Sequence, residues 1–112
     1  MKLPQLNRSL VLEGPLRLAD GSGGFTEGWE ALGVIWAEVR AMSGRERAQS
    51  AATLARTPFK ITLRAAPHGA ASRPTAGQRF RDGNRIFVIH AVAEQGPENR
   101  YLTCNAVEEV AP

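Results

Sequence analysis

The stretch that most constrains this chain is residues 28–44, GWEALGVIWAEVRAMSG. It holds both tryptophans, Trp29 and Trp36, and the densest apolar run, residues 32–39. Its periodicity reads two ways. Trp29, Leu32, Ile35, Trp36 and Val39 stand at helical spacings of three and four. Ile35, Ala37 and Val39 against Val34, Trp36 and Glu38 equally suit a strand that is apolar on one face and nearly so on the other. The interior Gly33 and the β-branched Val34, Ile35 and Val39 favour the strand, because glycine weakens a helix and branched side chains suit a pleated surface.

The rest of the chain reads as short strands around this one. Residues 8–19, RSLVLEGPLRLA, alternate through Leu10, Leu12, Leu16 and Leu18, with Gly14-Pro15 marking a bulge or an edge-strand break. DGSGGF, residues 20–25, predicts a flexible turn. It is not a phosphate loop, since no GK[ST] follows and no strand-to-helix pattern surrounds it. Residues 44–56, GRERAQSAATLAR, are rich in alanine, arginine and glutamine, with Leu54 the single bulky anchor. Ser43 and Glu46 have the spacing of a capping box, so this segment is a short surface helix or a long loop. An excursion of that length with no core face suggests a functional loop. Residues 59–65 alternate strictly, with Phe59, Ile61, Leu63 and Ala65 on one face. A short strand at 78–81, a tight turn at Asp82-Gly83-Asn84, a strand at 84–93 buried on both faces or nearly so, a turn at 95–99 and a last strand at 100–110 follow. The fold expected is mainly β: a small antiparallel β-barrel or sandwich with one long inserted loop or short helix. Trp29, Trp36, Val39, Ile61, Leu63, Phe87 and Ile89 are expected to organise its core.

The 112 residues suit one domain, 1–112. A single core of that size leaves much surface exposed, which assembly into an oligomer would relieve. No apolar run reaches the ~18 residues of a membrane span, and MKLPQLNRSL carries no apolar segment of the kind a signal peptide needs, so neither is expected. The net charge of +3 permits nearness to nucleic acid without demanding it. Twelve of the fourteen cations are arginine, which a GC-rich genome would also produce.

No catalytic constellation emerges. His68 and His90 have no Cys, Asp or His at ligand spacing, so no metal site is expected. Cys104, the single cysteine, reads as a small apolar strand residue. Adjacent strands could bring it to His90, more as a packed structural pair than as a nucleophile and base, since no nucleophile turn accompanies them. Glu108 and Glu109 would point to opposite faces of a strand. Neither an enzyme nor a cofactor is expected. Arg45, Arg47 and Arg56, with Arg40 just before them, lie in the polar excursion. One copy makes a weak cationic patch, or an ordinary solvated surface. Copies around a ring would make a positive lining that tracks DNA phosphates without reading sequence. The excursion has no aromatic stacking platform, which argues against specific single-strand binding.

The order of these pieces resembles the phage head–tail joining proteins, also called head-closure or stopper proteins. The resemblance rests on RSLVLEGP, the turn DGSGGF, Trp29, and Trp36-Ala37-Glu38-Val39 with Gly44-Arg45-Glu46 shortly after. It continues through Ile61-Thr62-Leu63-Arg64 and then Arg79, Gly83, Phe87, Ile89 and Val92 in order. The chain departs from the family at Arg73-Pro74-Thr75, where a longer apolar stretch is usual. Its small size and arginine-rich style are similar to the version found in bacterial gene transfer agents. The resemblance implies a β-barrel that forms a homo-oligomeric ring, a hexamer in preference to a dodecamer. That ring would sit at the head–tail interface of a phage-like particle assembled in the bacterial cytoplasm. The adaptor and portal would lie above it, the tail terminator or tail tube below. It would retain packaged double-stranded DNA, touch it without sequence preference, and dock the tail. Residues 43–57 correspond to the family's channel-side segment, which would bring Arg45, Arg47 and Arg56 near phosphates. The alternative is a free-standing nucleic-acid-binding small β-barrel. Such barrels carry surface aromatics on adjacent strands, whereas Trp29 and Trp36 lie in an apolar run.

Overall fold

The computed structural model describes residues 3–49 and 57–109. In chain order the elements are β1 (Arg8–Ala19), β2 (Phe25–Ala41), α1 (Gly44–Gln49), β3 (Pro58–Arg64), β4 (Arg79–Asp82), β5 (Arg85–Gln95) and β6 (Tyr101–Glu109). The six strands close in the order β1-β2-β3-β6-β5-β4, with β4 returning to β1 and every pairing antiparallel. The fold is mainly β, as the alternation predicts, and of the barrel and the sandwich that the sequence leaves open it takes the closed form.

Period-two alternation fills the interior. Leu10 and Leu12 enter from β1, Ala37 from β2, Ile61 and Leu63 from β3, and Phe80 from β4. Phe87 and Ile89 of β5 and Leu102, Cys104 and Ala106 of β6 complete the core. Val39 is half-buried and packs against it. Each large apolar side chain removed from water contributes about 1.5–3 kcal/mol before the entropy of ordering it is charged.

The structure departs from the sequence expectations at three places. The tryptophan stretch is a strand, but its tryptophans are not core residues: Trp29 is 39% and Trp36 58% exposed. The inward position is taken by Ala37, so its neighbour Trp36 faces outward, and Trp29 sits where β2 has already left the barrel. β5 buries Phe87 and Ile89 on one face, while its second half, apart from half-buried Val92, is exposed. Cys104 and His90 do not form a packed pair. Cys104 is in the core, and His90 is an exposed bulge residue between Ile89 and Ala91 of β5.

The feature that shapes the molecule is the β1–β2 hairpin. Its two strands pair along the whole of β1. β4 covers only Val11, Leu12 and Glu13 of β1, and β3 covers only positions 37–41 of β2. Residues 14–31 therefore project as a two-stranded arm, and the molecule measures 54 × 33 × 23 Å. A bulge marks the root: Leu12 faces Gly33, Glu13 faces Ala31, and Leu32 is the extra residue. Gly33 adopts φ 153° there, a conformation that side chains disfavour. A Cβ on Gly14 would meet Leu32 Cδ1 at 3.1 Å, so the arm leaves the barrel through a narrow crossing. At the tip, Asp20 accepts hydrogen bonds from the amides of Ser22 (2.7 Å) and Gly24 (3.0 Å), which orders the glycine turn.

Candidate channel-side segment and docking arm

The excursion after β2 begins as the local signals dictate. Ser43 Oγ accepts from the Glu46 amide at 3.2 Å, and Glu46 Oε1 accepts from the Ser43 amide at 2.9 Å. This is the reciprocal capping box expected from the spacing. Glu46 also reaches the barrel. Both its oxygens accept from Arg40 of β2, at 2.7 and 2.9 Å, and Lys60 of β3 donates at 3.3 Å. The first turn of α1 is thereby fastened to two strands. Met42 N donates to Pro58 O at 3.1 Å, so the excursion leaves and returns at neighbouring points of the rim.

These contacts have an electrostatic signature. The Arg40 guanidinium, then the Ser43 amide, holds the Glu46 carboxyl well below the usual carboxylate range. Glu46 in turn raises Arg40. A carboxyl depressed in the folded state stabilises fully above its unfolded pKa and loses that contribution as pH falls through the folded value. The stability difference between wild type and Glu46→Gln should therefore be constant above about pH 5 and shrink below about pH 4. Urea midpoints of the two proteins at stepped pH read this directly. A difference unchanged down to pH 2 would show that the charge of Glu46 contributes nothing.

Of the three arginines read from the sequence, Arg45 is exposed, Arg47 is half-buried, and Arg56 lies outside the described residues. The Arg47 amide donates to Ser43 O at 3.0 Å. Arg40 is engaged by Glu46 and is not an unpaired cation of this segment.

The arm lies at the other end of β2, a strand of 17 residues, so on the order of 50 Å of chain separates its tip from α1. Its root carries a buried charge cluster. Glu13, 4% exposed, accepts from Arg79 Nε at 2.7 Å and pairs with Arg81 at 3.2 Å. The Arg79 guanidinium lies 4.0 Å from the Trp29 ring centroid, a cation–π contact that ties the arm to β4. Further out, Arg17 stacks on Phe25 at 4.3 Å, yet Leu18 and Phe25 remain 50% and 59% exposed. The sequence reading missed the arm. Its signal was the alternation continuing past Gly14-Pro15 on one side of DGSGGF and through residues 25–31 on the other.

Burial pushes the Cys104 thiol up to about 12, so it stays a neutral thiol. Arg85 spans the Phe87 ring, 5.0 Å from its centroid, and pairs with Glu108 at 2.8 Å, which lowers the Glu108 carboxyl, while Glu109 is exposed. Among the described residues no group of three or more His, Cys, Asp or Glu could hold a metal ion, and no helix is long and apolar enough to cross a membrane.

The family model for phage head completion protein matches residues 1–109. A chain in the structure of the virion of a native gene transfer agent particle is 57% identical, with a TM-score of 0.76 over 97% of this chain and 100% of that one. A protein from Shigella flexneri 2a, solved in solution, shares the fold at 22% identity, with a TM-score of 0.74 over 96% of each chain. None of the curated proteins matches. By a family match that runs almost end to end, this chain belongs to the phage head completion proteins.

Proposed function

We propose that this protein is a structural head-closure subunit of a phage-like particle, acting as a stopper ring that retains packaged DNA and docks the tail. The observation that carries this is the family match over residues 1–109, joined to 57% identity with a chain of a gene transfer agent virion. The protein sits at the head–tail interface as a homo-oligomeric ring. Six copies match the symmetry of a tail tube and are favoured over twelve, which would match a portal. The adaptor and portal side lies above, the tail terminator or tail tube below.

The two ends of β2 suit a division of labour within such a ring. The 43–57 segment, basic and tethered at the rim by Glu46, faces the channel. Arg45, Arg47 and Arg56 approach phosphates there without reading bases, a contact that depends on charge and not on sequence. The arm at the far end is free to engage protein.

The first test is negative-stain imaging of particles from a strain lacking the gene. DNA-filled or leaked heads beside separate, complete tails are expected; normal tailed particles would remove the proposal. Changing Arg45, Arg47 and Arg56 together to glutamate should let full heads leak while the ring still assembles. Normal DNA retention by that variant would remove the channel-side assignment and leave the head-closure role standing.

A further inference from the structure

Two surfaces of the chain are unaccounted for by the channel, and each supplies what the other lacks. One is the outer arm, which keeps Leu18 and Phe25 exposed although its root is fixed. The other is a groove of about 430 Å³ beside the free side of β2, lined by Leu6, Val34, Trp36, Ala66 and Ser72, with Arg64 among its walls. Val34 is 64% and Trp36 58% exposed within it. β3 pairs with β2 only from Ala37 onward, so no strand lies beside Trp36 or the β2 residues before it on that side. An unpaired strand edge flanked by apolar side chains is a template for another chain.

We propose that the arm of one copy lies in this groove of the next copy, with the face that carries Leu18 against Val34 and Trp36 and Phe25 on the arm's opposite face. The inference rests on the ring reading above and deepens it by naming the contact between subunits. Charge selects the occupant. Residues 15–30 carry Arg17 against Asp20, Glu27 and Glu30, a formal −2 on a chain of +3, so the rest of the molecule carries +5. An acidic arm is repelled by DNA phosphate and attracted to the basic body of its own kind, where Arg64 is exposed in the groove.

Topology forbids a chain from filling its own groove. The Arg79–Trp29 contact ties the arm toward β4, on the β1 side, whereas the groove opens on the β3 side of β2. Arm and groove are different surfaces of one chain, so their contact is head-to-tail, the kind that closes into a ring. The arm is also pre-set by its bulge and by the Glu13–Arg79–Trp29 tie, so little ordering is lost on docking.

The test uses the full chain in assembled particles. Leu18→Cys and Ser72→Cys are combined, and the particles are treated with a short bis-maleimide. Native Cys104 is buried and stays silent. A ladder of multiples of this chain is expected from the double variant, and none from either single variant. Reversing Glu27 and Glu30 to arginine should cut the amount of chain found in particles at least tenfold, and adding Arg64→Glu should restore it. A double variant present in particles with no ladder, or linked instead to a different particle protein, would overturn the proposal. So would charge reversal without loss. Absence of the wild-type chain from particles would remove the head-closure reading itself, and the subunit contact with it.

Discussion

Phe87→Ala should lower the free energy of unfolding by about 3–5 kcal/mol, the range for deleting a fully buried aromatic ring. Phe87 is completely buried, and its ring meets Phe59 edge-on at 5.1 Å and 78°. Arg85 covers it from the side of the strand end, held there by Glu108. The substitution loses the transfer free energy of the ring and leaves a cavity, because neighbours pinned by cross-strand pairing relax only in part. Phe87 faces Phe80 on β4 and Glu108 on β6, so both flanking strands would have to move to close the gap. A domain of this size has about 5–15 kcal/mol in total, so the loss is a large share of what holds the barrel closed. Thermal unfolding should fall by ~12 °C or more, at 4–8 °C per kcal/mol for domains near 100 residues. Urea titration should show a lower midpoint with the slope unchanged. Phe87→Leu, which refills most of the space, should cost about 1–2 kcal/mol. A loss under ~1 kcal/mol for the alanine variant would mean that the barrel collapses freely around this position and is not close-packed there.

The strands were legible because each carries its own period. Ile61 and Leu63 alternate with Lys60 and Thr62, and both apolar residues are buried. The tight turn at Asp82-Gly83-Asn84 and the capping box of Ser43 and Glu46 were legible for the same reason: every participant lies within a few residues of its partner. Three things were not legible. The tryptophans misled because apolar density was taken for burial, whereas Ala37 occupies the inward position and Trp36 must face the other way. The arm was invisible because alternation reports that a strand exists, not whether a further strand lies beside it. β3 and β4 stop short, and nothing local to residues 14–31 encodes that. Glu13 was passed over because its partners Arg79 and Arg81 stand on β4, far along the chain, and meet it only through barrel closure. Of the candidate site, composition indicated a basic excursion, and Arg45 is exposed there as a surface cation should be. Engagement of Arg40 by Glu46 needed the three-dimensional return of α1 onto the barrel rim.

Glu13→Ala should have the second largest effect, about 3 kcal/mol, and a consequence that a core deletion lacks. The Glu13 side chain is 6% exposed and that of Arg79 17%, so their pair is shielded from water, whereas Arg81 is 46% exposed and adds little. Removing one member of a buried pair costs about 3–5 kcal/mol because the other is left charged without compensation. The lower end applies, since Arg79 keeps some contact with solvent. Glu13→Gln retains an acceptor in the same place and should cost less, about 1–2 kcal/mol. The distinguishing consequence is at Trp29. Arg79 is positioned over that ring by Glu13, so an unanchored guanidinium should leave the ring and let the arm swing at its bulge. In a Trp36→Phe background Trp29 is the only tryptophan, and Glu13→Ala should shift its emission to the red and lower its anisotropy in the folded protein. If stability falls while Trp29 emission stays fixed, stacking alone holds Arg79 and the direction of the arm is set by the Leu32 bulge. If both change together, one buried carboxylate sets both the closure of β1 onto β4 and the angle at which the arm leaves the barrel.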